Sequence, residues 1–185
     1  GCVSASAKCP FGETFAFVGS ARNEGLGVYI AGQGTAEKVS TREIDDALAA
    51  ERDATSIILE CRTYRDETRL VMHLAGESWA FLGNASKSVG EYVWYRLTSG
   101  MGKPYRIRNA VLAYGRWIVG DTETAAVGNL DESTTAHFGE ETEWQFDAGL
   151  IYNGAKGGIV KSVELVGLSG RVNGNPSAFL SMTQD

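Results

Sequence analysis

Four short apolar runs lie between Thr55 and Leu97: Ile57-Ile58-Leu59, Leu70-Val71-Met72-His73-Leu74, Trp79-Ala80-Phe81-Leu82 and Tyr92-Val93-Trp94-Tyr95. Each is rich in β-branched or aromatic residues and bounded by a turn cluster, and runs of that length form strands rather than helices. The connecting pieces Tyr64-Arg65-Asp66-Glu67, Ala75-Gly76-Glu77-Ser78 and Gly83-Asn84-Ala85-Ser86-Lys87-Ser88 carry turn residues and are too short for a crossover helix. The four strands are therefore expected to form an antiparallel meander. One meander cannot bury both of its faces, so the chain is expected to repeat the unit.

Upstream, Phe15-Ala16-Phe17-Val18 reads as a strand after a turn at Cys9-Pro10-Phe11-Gly12. Gly27 to Ala31 and Lys38-Val39-Ser40, joined through Gly32-Gln33-Gly34-Thr35, read as a hairpin. Thr41 stands where a helix over residues 41–51 would be capped, with Asp45 and Asp46 early and Arg52 at its end, as the helix dipole favours. This is the one helix expected. Downstream, a second meander is expected from Arg108 to Ala113, Trp117 to Gly120 and Ala126 to Leu130, with its fourth strand at Glu143-Trp144-Gln145-Phe146. Ile159 to Leu168 and Ala178 to Met182 read as strands of a further unit. The meander spacing of roughly 40–50 residues is that of four-stranded propeller blades.

The expected fold is all-β: antiparallel four-stranded meanders arranged as β-propeller-like blades, a partial propeller with one short helix. Residues 1–185 are expected to be a propeller-like fragment of a longer protein, with units at 15–54, 55–97, 106–147 and 159–185, the last incomplete.

A net charge of −6 disfavours general binding to nucleic acid or an anionic membrane. No apolar run is long enough for a membrane span, and Gly1-Cys2-Val3-Ser4 does not open a signal peptide, so a soluble, non-exported protein is expected. Three cysteines, Cys2, Cys9 and Cys61, fit free thiols in a reducing compartment better than a Cys2–Cys9 bridge. Neither His73 nor His137 has a Cys or His at zinc spacing, and no metal or cofactor site is expected.

Charge is segregated along the chain. Arg96, Lys103, Arg106, Arg108 and Arg116 fall in a stretch without acids, and Asp121, Glu123, Asp131, Glu132, Glu140, Glu141, Glu143 and Asp147 follow in a stretch without bases. Solvated turns account for such a pattern. So does a basic edge meeting an acidic edge, between neighbouring blades or between subunits of a ring.

Signs of catalysis are weak. His73 sits in an alternating strand without a partner motif, and His137 lies in a loop among acids, as fits a ligand or a subunit contact. The doublets Asp66-Glu67, Asp131-Glu132 and Glu140-Glu141 would point to opposite faces of a strand, so none makes a facing carboxylate pair by itself.

Five stretches carry a resemblance: Asn23 to Tyr29, Val39 to Ile44, Thr63 to Asp66, Trp79 to Leu82 and Gly115 to Asp121. In this order and spacing they resemble the packaged-DNA stabilisation proteins, or tail hubs, of Salmonella-type short-tailed phages. The resemblance implies a β-propeller-like body and a structural, non-enzymatic role in the virion tail, in a protein assembled in the host cytoplasm. It implies a ring of like subunits beneath the portal and its adaptor that receives the tail needle, with DNA only as passing cargo and no membrane partner. No catalytic residues carry over from it. The main rival reading is a carbohydrate-binding or carbohydrate-active propeller, which would need two carboxylates facing each other across a pocket beside an exposed Trp, and a second is an interaction propeller that displays loops to a partner.

Overall fold

The computed structural model describes residues 1–147 apart from Asn23, Gln33, Met101, Glu132 and Trp144, and in addition Ser162, Glu164, Ser177 and Phe179 to Ser181. The first sheet is a meander of β1 (Lys8–Phe11), β2 (Thr14–Ser20), β3 (Leu26–Gly32) and β4 (Thr35–Lys38), antiparallel throughout. Here the expected turn at Cys9-Pro10-Phe11-Gly12 is corrected. Cys9 and Pro10 pair with Ala16 and Phe15, and the chain reverses one step later at Gly12, whose φ is +58°. Pro10 is tolerated because β1 is an edge strand in the sheet, where a missing N–H need not break a ladder.

Helix α1 (Arg42–Ala50) stands where a helix was expected and buries Ile44 and Leu48. Thr41 occupies the cap position, but its hydroxyl makes no capping bond. Asp45 of the first turn is drawn instead to Lys38 Nζ at 2.7 Å and to Ser40 Oγ at 2.6 Å, tying the helix back to the end of β4.

The second sheet follows a short 3-10 turn at Ala54–Ser56 and runs β5 (Ile58–Tyr64), β6 (Glu67–His73), β7 (Ser78–Leu82) and β8 (Trp94–Leu97). Its pairing is the expected meander. Between β7 and β8, where only a turn was expected, stands a second helix, α2 (Gly83–Val89). The carboxylate of Glu67 on β6 accepts the N–H of Asn84 at 2.9 Å and of Ala85 at 3.1 Å, and so caps the helix from a neighbouring strand. Gly90, left-handed at φ +81°, ends it.

The third sheet is three-stranded, with β10 (Arg116–Asp121) between β9 (Ile107–Ala113) and β11 (Val127–Asn129). A short hairpin of β12 (Ala136–His137) and β13 (Glu140–Glu141) follows. The fourth strand expected at 143–146 is not formed by the described residues there, Glu143, Gln145 and Phe146. The chain has already reversed at Phe138 and Gly139, both at positive φ. The strands expected within Ile159–Leu168 and Ala178–Met182 fall almost wholly outside the described residues.

The register gives the second sheet two unlike faces. Leu59, Cys61, Leu70, Met72, Trp79, Phe81 and Trp94 share one face and pack with Ala16, Val18 and Val28 of the first sheet. Leu70 and Met72 are wholly buried, each contributing about 1.5–3 kcal/mol of apolar stabilisation. Trp94 Nε1 donates to Val39 O at 2.8 Å across this joint. Glu60, Arg62, His73 and Ser78 share the opposite face, and they too are buried. That polar face turns towards the third sheet and its hairpin.

Candidate functional site

Glu60 is the centre of the polar face. Its Oε2 accepts from Arg62 at 2.9 Å and from the N–H of Ala110 on β9 at 3.2 Å, while its Oε1 accepts the N–H of Asn109. Asn109 reaches this position at φ +57°, beside a bulge in the β9–β10 pairing. Burial alone would raise the carboxyl pKa, but the nearby His73 and the hydrogen bond from Arg62 outweigh it and hold Glu60 down at about 2. One carboxylate thus joins a side chain of its own strand to the backbone of the next sheet.

Further bonds cross the same joint. Arg108 donates to Leu74 O at 3.1 Å, Trp117 Nε1 to Thr63 O at 3.1 Å, and Arg62 to the Tyr105 hydroxyl at 3.1 Å. The Tyr105 ring stacks on His73 and meets His137 edge-on. His73 Nδ1 pairs with Ser78 Oγ at 2.9 Å, and His137 Nδ1 with Ser99 Oγ at 2.8 Å. Burial lowers the pKa of both imidazoles, so each is neutral at pH 7.

The two oppositely charged stretches meet within this one chain. Arg106, only 5% exposed, reaches Asp121 through two nitrogens at 3.0 and 2.6 Å, with Glu123 at 3.3 Å and Glu140 at 3.1 Å. The Arg106 hydrogen bonds hold Asp121 well below the usual carboxylate range. Lys103 closes on Glu140 at 2.6 Å, and Arg96 lies 3.5 Å from Glu77. Asp131 is lowered by hydrogen bonds from the hydroxyl and N–H of Ser133, and Arg116 adds to this. Arg116, Glu141 and Glu143 are exposed, Arg108 is half-buried, and Glu132 lies outside the described residues.

Ser78, His73 and Glu60 stand in the order of a hydrolytic triad, with His73 Nε2 3.5 Å from Glu60 Oε1. A nucleophile must meet substrate, however, and Ser78 is 2% exposed. Two surface grooves, of about 370 Å³ and 610 Å³, are lined by residues such as Tyr114, Arg116 and Val127 and by residues such as Ala47, Arg52 and Glu77, and neither is lined by Ser78 or His73. The arrangement positions strands; it offers no hydroxyl to a ligand. Among the described residues no group of three or more His, Cys, Asp or Glu could hold a metal ion. None of their helices is long and apolar enough to cross a membrane. All three cysteines are free thiols, and burial, then the charges of Cys61 and Glu60, push Cys9 up to about 12.

Residues 1–135 match the model of a phage stabilisation family described as bacteriophage P22 Gp10, beta-propeller. The chain belongs to this family. No curated protein is matched by it. The expected fold class agrees with the family and the structure: the described residues form antiparallel sheets without a closed barrel, consistent with part of a propeller. The phage stabilisation family is a structural, packaged-DNA stabilisation family rather than a known enzyme family.

In this stabilisation protein the residues that matter most at the joint, Glu60, Arg62, Tyr105, Ser78 and Ser99, escape sequence reasoning. Alternation in Ile58-Leu59-Glu60-Cys61-Arg62 reads as an apolar face and a solvated face. The available signal was the opposite charge of Glu60 and Arg62 two residues apart, which puts a complementary pair on one face of a strand.

Proposed function

We propose that this packaged-DNA stabilisation protein serves as the tail hub of a short-tailed phage. It forms a ring of like subunits beneath the portal and adaptor, receives the tail needle and helps retain the pressurised DNA. The family match over residues 1–135 carries this reading. The geometry supports it through stiffness: successive sheets are joined on one side by a continuous apolar core and on the other by buried, directional polar bonds. A body made this way transmits force between partners without sliding at its joints. DNA is cargo in this reading, and the protein resides in the virion tail after assembly in the host cytoplasm.

Because Arg96, Lys103, Arg106 and Asp121 are engaged within the chain, the exposed charges of these stretches proposed for lateral contacts are Arg116, Glu141 and Glu143. A division into units 15–54, 55–97, 106–147 and 159–185, within a longer propeller-like protein, belongs to the same proposal. Its test is assembly of the intact protein. Rings in solution, and co-sedimentation with a portal–adaptor complex, are expected. A protein that stays monomeric at high concentration and does not associate with that complex ends the reading.

A further inference from the structure

The chain has two histidines, and the fold brings both to one place. His73 lies on β6 and His137 on β12, yet the same Tyr105 ring stacks on the first at 6.1 Å and meets the edge of the second at 5.6 Å. We propose that the two histidines form an acid-sensitive latch: their neutral rings hold the third sheet and its hairpin on the second sheet, and their protonation releases them.

Hydrogen bonding here suits neutral rings. Ser99 Oγ accepts the Arg106 N–H at 3.0 Å, and its hydroxyl hydrogen can be donated to His137 Nδ1, 2.8 Å away. Only an unprotonated Nδ1 can accept it. His73 Nε2 lies 3.5 Å from Glu60 Oε1, and its Nδ1 stands 2.9 Å from Ser78 Oγ, where a neutral ring can accept the hydroxyl hydrogen. Acid adds a proton to each Nδ1, and each serine must then turn its own hydrogen away from the ring and accept instead.

The arginines oppose protonation as well, whereas Glu60 favours it at His73. His73 faces Glu60 and Arg62 on β5 and Arg108 on β9; His137 faces Arg106 and Arg62, with Glu140 opposite it across the hairpin. Both carboxylates are already taken, Glu60 by Arg62 and two backbone N–H groups, Glu140 by Lys103 and Arg106. A new imidazolium therefore joins an existing cation in each place, away from water. Burial, the largest cause, and the arginines outweigh the pull of Glu60 on His73 and place both folded pKa values below the ordinary 6.5. Stability from these groups is thus complete above about 6.5 and is lost as pH falls from there through the folded values.

Amide hydrogen exchange of the whole chain, corrected for the intrinsic pH dependence, tests this. Between pH 7.5 and 5.5, opening of β9 to β11 should rise, by at most roughly tenfold per histidine, while the first sheet keeps its protection. The variant H73Q/H137Q, with side chains that stay neutral, should lose this pH dependence. An unchanged acid response in that variant overturns the latch. Histidine-resolved NMR titration of the unsubstituted chain decides the matter even where the variant does not fold. Titration of both rings below 6.5, in step with loss of protection, supports the latch; titration at 6.5 or above with β9 to β11 still protected overturns it.

Discussion

Replacing Glu60 by Gln keeps the shape of the side chain and removes the charge on which the joint between the second and third sheets converges. In the folded chain the Glu60 carboxyl is lowered from 4.5 to about 2. At about 1.4 kcal/mol per pH unit, that difference corresponds to about 3 kcal/mol of stability at neutral pH. A second route agrees, because removing one partner of a buried ion pair typically costs about 3–5 kcal/mol. In Glu60→Gln the amide still accepts one backbone N–H, but its NH₂ group opposes another donor and Arg62 is left buried without a counter-charge. Urea unfolding followed by tryptophan fluorescence is the assay. With a slope of about 2 kcal/mol per molar, the midpoint at pH 7 should fall by about 1.5 M.

The pH dependence separates this account from a generic packing defect. A depressed carboxylate contributes stability above its unfolded pKa and loses it as pH falls through the folded value. Unsubstituted protein should therefore lose the Glu60 contribution between pH 4.5 and about 2, whereas Glu60→Gln has none to lose. The gap between the two proteins should close with acid. A gap below about 0.5 kcal/mol at pH 7, the scatter expected of neutral surface changes, or a gap constant from pH 7 to 2, refutes the reasoning.

Leu70→Ala, at a wholly buried position on the apolar face, should cost about 2–5 kcal/mol by urea unfolding, with no dependence on pH between 4 and 8. Arg106→Lys keeps the charge but loses the two-nitrogen contact with Asp121, so amide exchange in β10 and in the β12–β13 hairpin should accelerate at pH 7 while the first sheet stays unchanged. Tyr114 is 97% exposed and holds φ +52°, a conformation unfavourable to a bulky residue; Tyr114→Asn should raise stability by up to about 1 kcal/mol, seen as a higher melting temperature.

How much of this was legible depended on whether the deciding contact was local. The strand cores Leu70 to His73 and Trp79 to Leu82 announce themselves by composition, and α1 by its apolar spacing and early acids. Helix α2 does not, because Gly-Asn-Ala-Ser is turn-like and the carboxylate that caps it comes from Glu67, on another strand. β1 was obscured by Pro10, which reads as a breaker unless the strand is known to lie at an edge. The joint at Glu60 was the least legible, since alternation shows which residues share a face but not whether that face meets water or another sheet. Segregated charge signalled a meeting of opposite signs, and the meeting seen in the structure is the Arg106 cluster within one chain.

Replacing both Glu60 and Arg62 separates the two things a buried ion pair can do. Swapping such a pair for apolar residues of similar volume is often neutral or stabilising, because two desolvated charges disappear together. Glu60→Leu with Arg62→Met removes the charges in that way, yet Glu60 also satisfies the N–H groups of Asn109 and Ala110, which no apolar side chain can do. Each orphaned donor costs about 1–3 kcal/mol, so the double variant should remain less stable than the unsubstituted chain. Its deficit should be concentrated in the first half of β9, where exchange of those two amides reports the loss directly. Full recovery of stability, with both amides as protected as before, would mean that β9 finds its place by apolar packing alone. A persistent deficit there means that the carboxylate sets the position of the third sheet by holding its backbone.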